Sequence, residues 1–398
     1  MSSNVLDVLP DVGTWDASQA STATIYAGEG TSLSARLRGG RRTGNPEYRR
    51  RLLEAAHLYK RVLAGNQRAG LDFIEAMTTS DFTNLFGDIL DRQLLAAYNQ
   101  APIQWDRVAK RGRVRDFRTV KRFTLDGGEA VLDAVAQQAE YPAASLTDAE
   151  YSYAVTKRGR RLHLSWETLI NDDLDAFRDL PDRLGNAARR SEERFATDLY
   201  AGTTGPDGTF FASGNANIVT SNPALSIQAL QTAYTVLAAQ LDTDSSPIYI
   251  DGTVLVVPPA LEVTANNIIN ATEILAGTGG GDGTGNDQLR AINWMRNRVS
   301  VVVNPWLPII STTNGGTSWY LFANPSTGRP AAEVGFLIGH EQPELFQKLA
   351  NAVRVGGGLL APEEGDFGTD SVEWKIRHVF GGTLMDPKSA VASNGTGS

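Results

Sequence analysis

The sequence predicts an α+β chain organised around one long helix. Three observations lead there. Apolar residues recur at three- and four-residue steps through the stretch ending at Tyr200. Elsewhere short segments alternate, or run as apolar blocks, in the manner of strands. After residue 226 helical and strand patterns follow one another through a Gly-rich body. In the helix, Leu174, Phe177, Leu184, Ala188, Phe195 and Leu199 fall on one face. The other face carries Arg178, Arg183, Arg189, Arg190, Glu192, Glu193 and Asp198. Asp179 suits a cap, Pro181 the first turn and Gly202 the stop. From Pro181 to Tyr200 the helix would be ~30 Å long at ~1.5 Å per residue.

Composition narrows the function classes. A chain of 398 residues suggests two or three domains, or one large domain with extensions. The net charge of −8 argues against a nucleic-acid clamp as a whole. With no cysteine, disulfides and thiolate metal sites are excluded, and a reducing compartment suits the chain. No signal-peptide pattern opens it, and no apolar run is long enough to span a membrane. Its 39 glycines predict many tight turns.

Residues 1 to about 45 lack periodicity and read as an extended arm. A basic run from Arg36 to Arg68 follows, with Glu47 and Glu54 its only acids, and a helix over Pro46–Ala64. Leu71 to Ala101 holds a second helix, capped by Thr79 or Ser80, with a wide apolar face running to Tyr98 and ended by Pro102. Phe117–Leu125 is strand-like; Tyr151, Tyr153 and Val155 alternate, and so do Leu162, Leu164 and Trp166. These two ends look like arms of a long hairpin joined by a long excursion, and loops of that length are usually functional. Further on come a helix over Ser226–Leu241, a strand at Thr253–Val257 and a helix over Ala260–Asn270. A flexible loop at Ala276–Asp287, a strand at Val299–Val303, and β content at Trp319–Phe322 and Ala332–Ile338 complete the body. In the last strand Val372, Trp374, Ile376, His378 and Phe380 share one face, and Glu373, Lys375 and Arg377 the other. Gly381 and Gly382 suggest a bend or bulge, and the residues after Lys388 a Ser/Gly tail.

Searches for chemistry are negative. The Gly-rich loop has neither dinucleotide-binding nor P-loop spacing. His57, His163, His340 and His378 are scattered without metal-ligand spacing. No nucleophile elbow occurs, and Asp172-Asp173 and Glu363-Glu364 are explained by a helix start and a solvated loop. The sequence therefore predicts no catalytic, cofactor-binding or metal-binding residue, and no cofactor.

Three stretches together resemble the major capsid proteins of tailed bacteriophages. The type is the fold named after coliphage Hong Kong 97, and the likeness is nearest the Mu-like major head subunit group. The stretches are TSDFTNLFGDILDRQLLAAY (Thr79–Tyr98), KRGRRLHLSWETLINDDLDAF (Lys157–Phe177), and GFLIGHEQPELF (Gly335–Phe346) followed by VEWKIRHVFGGTLMDPK (Val372–Lys388). Order and spacing match across most of the chain from about residue 71.

The resemblance implies an N-terminal arm with a basic helix at 1–70, a first part of a peripheral domain at 71–116 and an extended loop at 117–165. It implies the peripheral domain with its spine helix at 166–225, an axial domain at 226–334, and returning strands with a C-terminal tail at 335–398. It also implies a structural function: a homo-oligomer of pentamers and hexamers that closes an icosahedral shell in the virion, assembled in the host cytoplasm. The shell would contact packaged double-stranded DNA non-specifically and no membrane. Scaffold, portal and decoration proteins are further partners, and Lys110, Lys121 and Lys157 near the extended loop read as surface lysines rather than cross-linking ones. A portal or tail subunit is the nearest rival. An enzyme would need a pocket of perturbed ionisable groups, and a nucleic-acid module would need a basic folded face with stacking aromatics.

Overall fold

The computed structural model describes residues 91, 93–126, 147–165, 174–242, 245–277, 288–296, 298–326, 328–348, 355 and 366–397. The expected arm, the basic run, most of the helix over Thr79–Tyr98 and the centre of the loop at 276–287 lie outside them. Residues 93–100 are helical (α1), and a turn of 3-10 helix follows at Trp105–Arg107. Then come β1 (Lys110–Val114), β2 (Val120–Asp126), β3 (Thr147–Tyr153), β4 (Thr156–Ser165) and the long helix α2 (Leu174–Tyr200). The short pair β5 (Ala201–Gly202) and β6 (Gly205–Pro206) leads to α3 (Ile227–Ala238), β7 (Gly252–Val257) and α4 (Glu262–Asn270). The rest is β8 (Glu273–Gly277), β9 (Gln288–Ile292), β10 (Ser300–Val303), β11 (Trp319–Ala323), β12 (Ala332–Leu337), β13 (Glu344–Gln347), β14 (Ser371–Leu384) and β15 (Ala390–Ser393).

Two sheets share the core. In the first, β14 pairs antiparallel with β4, β12 and β13, and β1 adds in parallel to β12. The two-residue alternation of β14 decides its packing. Trp374, Ile376, His378 and Phe380 are buried, and Ile376 meets Leu94, Tyr98, Leu184 and Ala188 of α1 and α2. On the opposite face Val379 meets Tyr153, Val155, Val114 and Leu337.

The second sheet has the order β10-β7-β11-β15. One face, with Leu255, Val257, Trp319, Leu321 and Val391, is covered by α3 and α4. The other, with Val256, Tyr320, Phe322 and Ala392, meets Tyr200, Phe210 and Phe211. The C-terminal end of α2 thus joins the sheets. There the Asn304 amide donates to Thr197 Oγ1 at 2.8 Å and to the Tyr200 hydroxyl at 2.9 Å.

Several expectations need correction. Helix α2 begins at Leu174, so Pro181 lies inside it rather than in its first turn. It ends at Tyr200, because Ala201 and Gly202 pair with Pro206 and Gly205. Its polar face is not solvated throughout: Arg189, Glu192 and Glu193 are buried, because α1 and β14 enclose the helix on more than its apolar stripe. The expected hairpin forms between β2 and β3, from Val120 opposite Tyr153 to Asp126 opposite Thr147. The second arm then leaves it, and β4 pairs along ten positions with β14 instead. Gly381 and Gly382 form no bulge against β12, since both continue that ladder in unbroken register. Gly381 is needed for close approach: a Cβ there would overlap the Ala154 carbonyl and lie 2.9 Å from Val155 Cα. The C-terminal segment is not a tail. Strand β15 pairs with β11, and its four residues are buried.

Candidate functional site

The densest cluster of ionisable groups lies where α1, the turn at Trp105, α2 and β14 converge. Glu192 is fully buried there and receives four donors. Its Oε1 accepts from the Tyr98 hydroxyl at 2.5 Å and from His378 Nε2 at 2.6 Å. Its Oε2 accepts from Arg189 Nη1 at 2.7 Å and from Trp105 Nε1 at 3.2 Å. Nδ1 of His378 has no hydrogen-bond partner among the described residues, so it is Nε2 that donates to Glu192. Arg189 also donates to the Tyr98 carbonyl, and its guanidinium stacks 3.8 Å from the Tyr98 ring centroid. Glu193 accepts from the backbone N–H groups of Gln104 and Trp105 at 2.7 and 3.4 Å, tying down the chain between α1 and β1.

Electrostatics follow from this geometry. Burial works against the charged Glu192 carboxylate, but the hydrogen bond and charge of His378, the Arg189 charge and the Tyr98 hydroxyl together hold its pKa below the ordinary value. Burial raises the Glu193 carboxyl, and its two backbone donors do not cancel the effect. Burial, then Glu192, pushes the Tyr98 phenol well above its usual range. Such a constellation invites a catalytic reading. Its members are closed off: Glu192, His378 and Tyr98 are all buried. A cavity of about 220 Å³ nearby is lined by Pro102, Arg189, Arg190, Glu193, Trp306 and Ile309, among others, but by none of Glu192, His378 or Tyr98. A second void, of about 10 Å³, is room for about one water. The cluster fastens four elements together. Among the described residues no group of three or more His, Cys, Asp or Glu is placed to hold a metal, and no helix is long and apolar enough to cross a membrane.

The sequence named His378 as an apolar-face histidine but not its partners. Of the other histidines, His340 Nδ1 meets Glu344 at 2.7 Å, His163 lies exposed on β4, and His57 is outside the described residues. The signal for the cluster was present as Arg189 and Glu192 three apart on one helix face. Amphipathic patterning assigned that face to solvent.

The second feature is the β2–β3 ribbon. At its base Glu333 of β12 is buried and accepts from Tyr153 at 2.5 Å and from Arg122 Nε at 2.8 Å. Arg122 also donates to the Arg113 carbonyl at 3.0 Å. Beyond this anchor the ribbon has little cover: Phe123 is 60% exposed, Phe117 before it 53%. The link between Lys121 and Glu150 at 2.8 Å runs between exposed side chains. Neither β2 nor β3 pairs with any other described strand. A two-stranded ribbon by itself is marginal in water.

The ion cluster locks the interior of the subunit, and the β2–β3 ribbon leaves Phe123 exposed. The family of phage capsid proteins has a model that matches residues 149–393, more than half of the chain. The chain belongs to the phage capsid protein family. The match runs from within β3 to the end of β15 and so takes in α2, the second sheet and all of the first sheet but β1. This capsid protein has no match among curated proteins. Among solved structures it is similar to one from Gordonia phage Cozz, at 12% identity and TM-score 0.41, over 71% of this chain and 83% of that one. It is similar to a virus-like particle from Pyrococcus furiosus, at 10% identity and TM-score 0.41, over 77% and 99%. It is also similar to the SrpI encapsulin of Synechococcus elongatus, at 10% identity and TM-score 0.43, over 75% and 94%. As a capsid protein it is a structural subunit of a phage shell, built of many copies, and its place is the virion. The expectation of a phage capsid protein with an α+β fold is borne out.

Proposed function

We propose that this capsid protein is the major head subunit of the Hong Kong 97 type. Its copies join as pentamers and hexamers and close an icosahedral shell around packaged double-stranded DNA. The observation that carries this reading is the family match spanning the long helix, the second sheet and most of the first. The uncovered ribbon supports it, because only a neighbouring copy offers it the same cover at every position of a closed shell. In this reading α2 is the spine of the peripheral domain, the sheet of β7, β10, β11 and β15 forms the axial domain, and residues 117–153 are the extended loop. The subunit has no catalytic role.

The basic run at Arg36–Arg68 faces the interior and meets DNA through phosphate contacts that weaken as salt rises. The Gly-rich loop at 276–287, carried by the β8–β9 hairpin, points toward the capsomer centre, where copies meet without fixed contacts. Assembly takes place in the host cytoplasm, with scaffold, portal and decoration proteins as partners. Negative-stain microscopy of the purified protein tests the reading. Closed shells are expected. Discrete rings would indicate a portal, and stacked tubes a tail subunit.

A further inference from the structure

We propose that the cavity between α2 and the turn at Trp306 is a docking site for an acidic peptide of a partner protein, which seats one apolar side chain in the cavity and pairs its acids with Arg190 and Arg194. Pro102 comes to this cavity from the chain after α1, Arg190 and Glu193 from α2, and Pro305, Trp306 and Ile309 from the segment after β10. The walls are fixed without an occupant. Asn304 Oδ1 accepts from the Trp306 N–H at 2.9 Å, and the fully buried Leu307 roots the helical turn Leu307–Ile310 in the core. Glu193 holds the Gln104 N–H at 2.7 Å on the other side. The space is about 220 Å³, and Ile309 at its rim is 58% exposed. Sites for drug-sized ligands start at roughly 300 Å³, so this one suits a single side chain.

Charge names the rest of the occupant. Arg190 and Arg194 are exposed, and their guanidinium groups lie 5.5 and 6.0 Å from the Trp306 ring centroid. Stacking of this kind leaves the N–H edge of a guanidinium free to meet a carboxylate. Arg190 has no carboxylate partner among the described residues, and Arg194 has only the loose contact with Asp198 at 3.9 Å. Glu193, the acid on the wall, is 9% exposed, and its Oε1 is taken by the N–H groups of Gln104 and Trp105. Two cations beside an apolar floor, in a chain of net charge −8, complement a peptide with acids on either side of an apolar residue. The floor decides between carboxylate and phosphate partners, because a DNA backbone has no apolar group to bury there.

Peptide binding to the full-length protein is the test. The probe is a fluorescein-labelled, glutamate-rich peptide with one central leucine, and its control carries serine in place of the leucine. Fluorescence anisotropy at ~0.15 M salt, where exposed charges are partly screened, reads both. The leucine peptide is expected to bind at least about tenfold tighter than the serine peptide, since burying a leucine side chain is worth about ten- to hundredfold. Ile309→Asp should remove that difference, and Arg190→Glu should weaken both peptides roughly tenfold. Both side chains are exposed, and circular dichroism confirms that the variants are folded. Equal binding of the two peptides, or no binding of either, would overturn the proposal. A short DNA duplex bound more tightly than the leucine peptide, and weakened by Arg190→Glu but not by Ile309→Asp, would assign the arginines to phosphate instead. Loss of shells in Ile309→Asp with peptide binding unchanged would assign the cavity to a neighbouring copy. Binding is read on the protein whether or not it assembles, so its failure is distinct from failure of the shell reading.

Discussion

Replacing Glu192 by glutamine should destabilise the isolated subunit by about 3–5 kcal/mol, the usual cost of removing one partner from a buried ion pair. The magnitude follows from the donors around it. Tyr98, Trp105, Arg189 and His378 all donate to its two oxygens. Glutamine has the same size but offers one acceptor oxygen and points an NH2 group at two of these donors. Arg189, whose side chain is 4% exposed, keeps its charge without a counter-ion. Against a total stability of roughly 5–15 kcal/mol the loss is large. Urea unfolding of the dissociated subunit, followed by circular dichroism, measures it through the midpoint at unchanged slope. Arg194→Ala is the control, since the Arg194–Asp198 pair at 3.9 Å is half exposed and worth about 0.5 kcal/mol or less. Adding Arg189→Met to the glutamine variant should recover at least about 1 kcal/mol, because the stranded charge is gone. A loss below about 1 kcal/mol for Glu192→Gln, or no recovery with methionine, would refute the view that this cluster holds the elements together.

Three further outcomes are expected. Because Glu192 has a folded pKa below its ordinary value of 4.5, its contribution is present above that value and is lost as pH falls through the folded pKa. The difference in stability between wild type and Glu192→Gln should therefore shrink as pH drops below about 4.5, and a constant difference from pH 7 to pH 3 would contradict it. A Cβ at Gly335 would lie 2.7 Å from Tyr153 Cε2, so Gly335→Ala should cost about 1–3 kcal/mol and loosen the ribbon, read as faster proteolysis within residues 117–153. Truncation after Lys388 removes β15 and uncovers β11, where Trp319, Tyr320, Leu321 and Phe322 are fully buried. The truncated chain should be insoluble, and a soluble product with wild-type melting would show the segment to be dispensable.

What was legible in the sequence was what periodicity encodes directly. The alternation in β14, the apolar blocks of β7 and β10, and the stripe containing Leu184 and Ala188 all sit where the pattern placed them. Most of the errors share a cause: a long-range contact overrides a local signal. Glu192 looks like a solvent-facing acid until Tyr98, Trp105 and His378 are brought to it from 87 to 186 residues away. Gly381 looks like a break until Ala154 crosses it. The segment Ala390–Ser393 is short and small-residue, and only pairing with β11 makes it a strand. Strand β4 follows an alternating arm and reads as its continuation, but β14 captures it. The burial of Glu192, Tyr98 and His378 was likewise beyond sequence, since the same residue types in an open cleft would suggest acid–base chemistry.

The central claim is that this chain closes into a shell in which each ribbon rests on a neighbour. A cryo-EM map of particles assembled from the purified full-length protein tests it most directly. The expected map is a closed icosahedral shell with residues 117–153 of each subunit lying across an adjacent subunit. Particles that are open rings or tubes, or a shell in which the ribbon folds back on its own subunit, would contradict it.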